Sequence, residues 1–316
     1  MLVAAVISIL LVACQSSGGE DPQPPGGAAG ADAAPGGPPA SDAHPGGGEG
    51  GSVADRPYEL RVPAGISPSV PAPLVILLHG YGSDPAWQED LFRIGDLVDA
   101  EGFLYAMPEG TVDFLGNRFW NATDACCDLG ATGVDDVAYL NALVDDVASR
   151  YPIDPRRIYA VGHSNGGFMA HRLACDASSR FAAVVSVAGA TWNDQARCQP
   201  SEPVSVLELH ATTDELIAYG GGAIGLTPYP GARATASTWA AKNGCAGALA
   251  DGASALDLES SVSGAETRPE RVAGCPEGGV VELWTIEGGH HDPAPVHPAW
   301  ETSIWGFLAA HPKPER

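Results

Sequence analysis

From Pro73 onward the chain alternates short, unbroken apolar runs with stretches whose apolar residues fall at helical spacing, and nothing else in the sequence restricts the fold as much. PLVILLH (73–79) is apolar on both faces, as a strand must be when helices cover both sides of its sheet. WQEDLFRIGDLVDA (87–100) then has helical periodicity, and GFLYAMPEG (102–110) reads as a second buried strand ending at Pro108. GVDDVAYLNALVDDVASRY (133–151) lays Val134, Val137, Leu140, Val144 and Val147 along one helical stripe. The pattern repeats as strand RIYAVGH, helix NGGFMAHRLACD, strands FAAVVSVAG and PVSVLELHA, helix ATASTWAAKNG, strand VVELWTIEGG and closing helix WETSIWGFLAAH. Such alternation predicts an α/β fold with a mostly parallel sheet between helix layers. In sheets of that kind, the groups that do chemistry stand just past the carboxyl ends of the strands. That rule selects HGYG (79–82), GHSNGG (162–167), HATTDE (210–215) and EGGHH (287–291).

Composition decides how much of the 316-residue chain takes part. Residues 15–55 are mostly Gly, Pro, Ala, Ser and Asp, with no aromatic side chain, so burial cannot offset the entropy of ordering them. They are expected to form a disordered tether ahead of one domain spanning 56–316, a length suited to a sizeable core. Residues 1–14, MLVAAVISILLVAC, carry an apolar run too short to span a bilayer comfortably, followed by small residues, as in a secretory signal. Leu11-Val12-Ala13-Cys14 resembles the bacterial lipoprotein box, which implies lipidation at Cys14 and a secreted protein anchored to the cell envelope. The other six cysteines, Cys126, Cys127, Cys175, Cys198, Cys245 and Cys275, form an even set in an exported chain and read as disulfides. Spacing leaves their connectivity open, although a Cys245–Cys275 bond would brace the 244–278 excursion, and adjacent Cys126 and Cys127 are expected to bond to different partners. There is neither a C-x-x-C pair nor an H-E-x-x-H motif, so no metal or cofactor is expected. A net charge of −23 argues against nucleic-acid binding and favours neutral substrates. The protein is expected to act as a monomer on a small or oligomeric substrate.

Gly162-His163-Ser164-Asn165-Gly166 satisfies G-x-S-x-G where an apolar strand gives way to a helix, the context in which that motif places a nucleophile. A serine on so sharp a turn sits in strained backbone, and glycines two residues to either side avoid collision. A Gly-rich nucleotide-binding turn is the competing reading, but neither G-x-G-x-x-G nor a P-loop lysine is present. Serine needs a base, and the base an orienter. His290, directly after Gly288-Gly289 in the loop past the last strand, is assigned as the base, with His291 as the alternative. Asp214, just past PVSVLELHA and between serine and histidine in chain order, is the acid, with Glu215 next in line. The backbone N–H groups of Tyr81 and Asn165 are the expected oxyanion hole. Asp135 and Asp136 read as first-turn acids of a helix rather than a glycosidase pair. Trp120, Trp192 and Trp239 suit either an aromatic pocket or the core.

With these residues in place, the chain resembles the polyhydroxybutyrate depolymerase-like esterases, grouped with feruloyl and acetylxylan esterases of the α/β-hydrolase fold. The resemblance covers about residues 56–316. It rests on LLHGYG, on WNATDACCD followed by VDDVAYL, on GHSNGGFMAHRLACD, on HATTDE and on NGC…GC…VELWTIEGGHH. It implies a serine esterase using Ser164, Asp214 and His290 without a metal, acting on feruloyl or acetyl esters of plant polysaccharide or on short hydroxyalkanoate oligomers. It also implies a Cys245–Cys275 disulfide. EGGHHDP departs from the pattern by lacking an aromatic residue soon after the histidine. A serine peptidase of the same fold and a non-catalytic binding lipoprotein are the competing functional readings.

Overall fold

A computed structural model describes residues 53–315. Cys14, the signal segment and nearly all of the expected tether lie outside the described residues. The centre is a nine-stranded sheet in the order β1-β3-β2-β6-β7-β8-β13-β12-β11. Its elements are β1 (Tyr58–Arg61), β2 (Ala72–Leu78), β3 (Leu104–Pro108), β6 (Ile153–His163), β7 (Ala183–Val187), β8 (Ser205–Ala211), β11 (Leu249–Asp251), β12 (Thr267–Val272) and β13 (Val281–Ile286). Strands β3, β2, β6, β7, β8 and β13 are mutually parallel, whereas β1, β12 and β11 run antiparallel to their neighbours at the edges. The chain thus has the α/β-hydrolase architecture, a large and mostly parallel sheet flanked by helices.

Alternation along β2 shows how the two cores arise. Leu74, Ile76 and Leu78 face one layer, while Val75 and Leu77 face the other. The first layer holds α3 (Asp136–Arg150), α4 (Asn165–Asp176) and α5 (Ala232–Asn243), the second α1 (Pro85–Phe92), α2 (Val98–Glu101) and α6 (Ala299–Ala310). Trp120, Trp239 and Trp300 are fully buried, and Trp192 nearly so, which assigns these rings to packing.

Three features depart from the sequence reading. The helix expected over 87–100 is broken: α1 ends at Phe92, Arg93 is left-handed, and a 3-10 turn (Ile94–Leu97) precedes α2. A buried carboxylate causes the break. Glu89 accepts from Arg61 (2.7 Å), the Gly95 N–H (3.0 Å) and the Tyr105 hydroxyl (2.6 Å), which pulls Gly95 out of helical register. The edge strands β1, β11 and β12 carry no continuous apolar run, and two small ribbons, β4–β5 (Thr111–Val112, Arg118–Phe119) and β9–β10 (Gly221–Ile224, Thr227–Pro230), lie outside the main sheet. Finally, Cys126 and Cys127 bond to each other. Cys175 at the end of α4 meets Cys198 (Cα–Cα 5.2 Å) and Cys245 meets Cys275 (3.9 Å), so the remaining sulfurs are the adjacent pair.

Candidate active site

Ser164 tops the turn between β6 and α4, with φ 53° and ψ −119°, a conformation that L-residues seldom hold. Its N–H donates to Val187 O (2.8 Å), and its own carbonyl accepts from Phe168 N (3.0 Å), locking the turn at both ends. Both motif glycines are required sterically. A Cβ at Gly162 would collide with the Gly166 carbonyl, and one at Gly166 with the Leu78 carbonyl.

The structure brings His291, not His290, to the serine. His291 Nε2 lies 2.9 Å from Ser164 Oγ, and its Nδ1 lies 2.8 Å from Asp214 Oδ2. His290 points to solvent, its Nδ1 3.4 Å from Oε2 of the exposed Glu215. The reason is local. Gly288 turns the chain in the left-handed region (φ 84°), and the Gly289 carbonyl is tied down by Thr213, whose hydroxyl donates at 2.5 Å. From that anchor, successive side chains leave on opposite sides, outward at 290 and inward at 291. The His291 carbonyl is held at 2.9 Å by Nε2 of His163, a ring that burial, with the nearby His291 charge, pushes down to about 4, so it serves as a neutral donor.

Asp214 is buried and well supplied with donors. Oδ1 accepts from the N–H groups of Leu216 (2.9 Å) and Ile217 (2.7 Å), and Oδ2 faces both His291 and His210 (3.3 Å). Burial opposes its ionisation, but the hydrogen bonds from His210 and His291 outweigh that and hold its carboxyl well below the usual carboxylate range. Glu215, the alternative acid, faces solvent and lies 3.4 Å from the exposed His290 ring.

The HGYG loop passes over the serine: a Cβ on Gly80 would lie 3.5 Å from Ser164 Cβ. His79 shapes that loop. Its Nε2 accepts from Gly110 N (2.9 Å), its Nδ1–H donates to Gly80 O (2.7 Å), and burial lowers its pKa to about 4. The Tyr81 hydroxyl donates to Asp113 Oδ2 (2.5 Å) on the ribbon between Thr111 and Phe119. Asn165 is fixed through its amide, which accepts from Trp120 N (2.7 Å) and donates to Trp120 O (2.9 Å). Asn165 thus directly follows Ser164 as the first residue of α4, and Tyr81 follows Gly80 in the loop that passes over the serine. Asp136 is more than a first-turn acid: it is buried, pairs with Arg56 at 2.6 Å and accepts from Asn121 N at 2.7 Å. Near His163 the rings are those of exposed Trp87 (6.4 Å between centroids) and buried Phe92 (6.1 Å), whereas the three tryptophans singled out from sequence are buried.

Among the described residues, His163, His291 and Asp292 bring one possible ligand atom each within 4.8 Å of one another. Both His291 nitrogens are already engaged by Ser164 and Asp214, so a cation there would compete with the Ser164–His291 hydrogen bond.

Known proteins share sequence and fold with this chain. Residues 57–264 match the family described as esterase PHB depolymerase. NocK of Nocardia uniformis subsp. tsuyamanensis, named as an esterase, is 31% identical over 75% of this chain and 70% of its own length. The chain belongs to the PHB depolymerase esterase family. Feruloyl esterase C of Emericella nidulans is 27% identical over 76% of this chain and 78% of its own. Feruloyl esterase B of Piromyces equi is also 27% identical, but the chain spans only 44% of that protein's length. In fold, the esterase is similar to acetyl xylan esterase from Aspergillus awamori, with a TM-score of 0.56 and 16% identity over 79% of this chain and 93% of that one. It is a carboxylic ester hydrolase by family, and its three disulfides fit an extracellular protein.

Proposed function

We propose that this esterase cleaves carboxylic esters through an acyl-enzyme on Ser164, with His291 as general base and Asp214 as its orienter. The observation that carries the reading is the continuous contact from Oγ to Nε2 (2.9 Å) and from Nδ1 to Oδ2 (2.8 Å). As Oγ attacks the ester carbonyl, Nε2 takes its proton, and the Asp214 carboxylate favours the imidazolium so formed. The N–H groups of Tyr81 and Asn165 receive the oxyanion. Collapse expels the alcohol, which takes the proton from His291, and water then repeats the attack on the acyl group.

Feruloyl or acetyl esters of plant polysaccharide, or short hydroxyalkanoate oligomers, are the proposed substrates. The names of the relatives support this, as do exposed Val112, Phe114 and Leu115, an apolar edge on the ribbon that Asp113 ties to Tyr81. We read the protein as secreted and tethered through a lipid on Cys14. Ser164→Ala should lower kcat/KM for p-nitrophenyl acetate by roughly 10⁴-fold or more while the protein stays folded, and should abolish fluorophosphonate labelling. Retained turnover would end the serine assignment. Release assays on methyl ferulate, acetylated xylan and hydroxybutyrate oligomers rank the acyl groups, and palmitate labelling that survives in Cys14→Ser would rule out the anchor.

A further inference from the structure

The hydrogen-bonded line does not stop at Asp214. Behind it, wholly buried, stand His210 and Glu208 on β8, then His171 on α4 and Trp239 on α5. Trp239 Nε1–H can only donate, so Nδ1 of His171, 2.9 Å away, must accept. The His171 proton then sits on Nε2, which donates to Glu208 Oε2 at 2.9 Å. His210 has acceptors on both sides. Its Nδ1 is 3.0 Å from Glu208 Oε1, and its Nε2 is 2.7 Å from the Ile217 carbonyl and 3.3 Å from Asp214 Oδ2. A ring whose two nitrogens both meet acceptors is satisfied only when both carry protons, that is, as imidazolium.

We propose that Glu208 and His210 are positioning residues of the esterase: a buried ion pair that fixes Asp214 and weakens its hold on the His291 proton. The proposal rests on the reading of Ser164, His291 and Asp214 as the catalytic triad. A buried anion alone would be expensive, as would a buried cation, but here each faces the other and has a further donor or acceptor. Burial disfavours the His210 cation, yet the hydrogen bonds and charges of Asp214 and Glu208 raise it to about 10; burial likewise opposes the Glu208 anion, and His171 with His210 holds it below its ordinary range. Tyr219 packs edge-on against the His210 ring at 5.8 Å between centroids, with its hydroxyl engaged at Thr285 Oγ1.

The functional consequence has a definite sign. A fixed positive charge on the far side of Asp214 partly neutralises the carboxylate as seen from His291. That weakens the pull of the carboxylate on the proton that His291 Nδ1 directs at it across 2.8 Å. Replacing His210 by glutamine keeps an N–H donor for Asp214 and removes the charge.

His210→Gln should move the acid limb of the kcat/KM profile upward by about one pH unit and lower kcat with little change in KM. A merely structural role would reduce kcat and leave the limb in place, and that result overturns the proposal. Histidine-selective nitrogen-15 NMR on Ser164→Ala protein supplies the second readout, independent of turnover and of whether His210→Gln folds. At about pH 8.5 the His210 ring should still show two N–H groups, where an isolated imidazole would show one. A single N–H there also overturns the proposal. Persistent esterase activity in Ser164→Ala would instead refute the triad and leave the two His210 signals standing.

Discussion

At the scale of single residues, two neighbouring histidines with the same chemistry have opposite fates. His291 is buried between Ser164 and Asp214, whereas His290 is in solvent beside Glu215. His291→Ala should therefore cost about 10³-fold or more in kcat/KM, and His290→Ala no more than a few-fold. Esterase kinetics on the two variants check this; a severe loss in His290→Ala would mean that the loop rearranges when substrate binds. Sequence confined the candidate base to two adjacent histidines and assigned His290, the one that faces solvent. The deciding contact, Thr213 with the Gly289 carbonyl, joins segments 76 residues apart. A signal for His291 does exist: counted from the constrained glycines, alternate side chains leave on alternate sides. It becomes usable only once Gly289 is known to be anchored.

At the scale of elements, strand-to-helix turns present the site and long connections brace it. The β6–α4 turn was legible because its glycines are demanded by backbone-on-backbone approach, which leaves a mark in any sequence that makes it. The segment after α5 was not legible, since its order comes from buried carboxylates rather than periodic apolar residues. Glu266 accepts from Leu258 N, Glu259 N and the Thr267 hydroxyl, while Glu259 accepts from Ser261 and Ala294 N. Backbone bonds from Ser260 to Ala294 (2.7 Å) and from Val296 to Leu258 (2.9 Å) then fasten this segment to the loop that follows His291. The excursion braced by Cys245–Cys275 therefore steadies the histidine loop. Elsewhere, Cys175–Cys198 closes a sequence separation of 23 residues between α4 and the chain entering β8. Replacing both cysteines by alanine should cost about 3 kcal/mol of stability. Denaturant unfolding measures it, and a loss well under 1 kcal/mol would assign the bond no role in holding the α4 end.

For the whole molecule, burial of imidazoles sets the pH range of stability. His79 and His163 are held near 4 mainly by burial, against about 6.5 in an unfolded chain. Between those values the unfolded state takes up protons that the native state refuses, so stability falls as pH drops from about 6.5 to about 4, by up to about 3 kcal/mol for each ring. His210 acts in the opposite sense. Raised to about 10, its contribution is complete below about 6.5 and is lost as pH climbs toward 10. The melting temperature should therefore peak near neutral pH, and His163→Gln should flatten the acid side of the curve. Calorimetry from pH 4 to 10 tests both; a melting temperature unchanged between pH 6.5 and 4 would contradict the first.

By itself, the sequence determined the parts governed by nearest neighbours along the chain: buried strands from unbroken apolar runs, the place of Ser164 on a sharp strand-to-helix turn from its flanking glycines, and the place of Asp214 just past a strand. Tertiary structure alone decided what depends on which distant groups meet. It chose His291 over its neighbour, paired the six cysteines, broke the helix at Arg93 around the Glu89 carboxylate, and placed Glu208 and His210 behind Asp214. Periodicity records only whether a side chain is covered. Hydrogen bonds between segments far apart in sequence settle what covers it and in which direction it points, and those leave no regular trace along the chain.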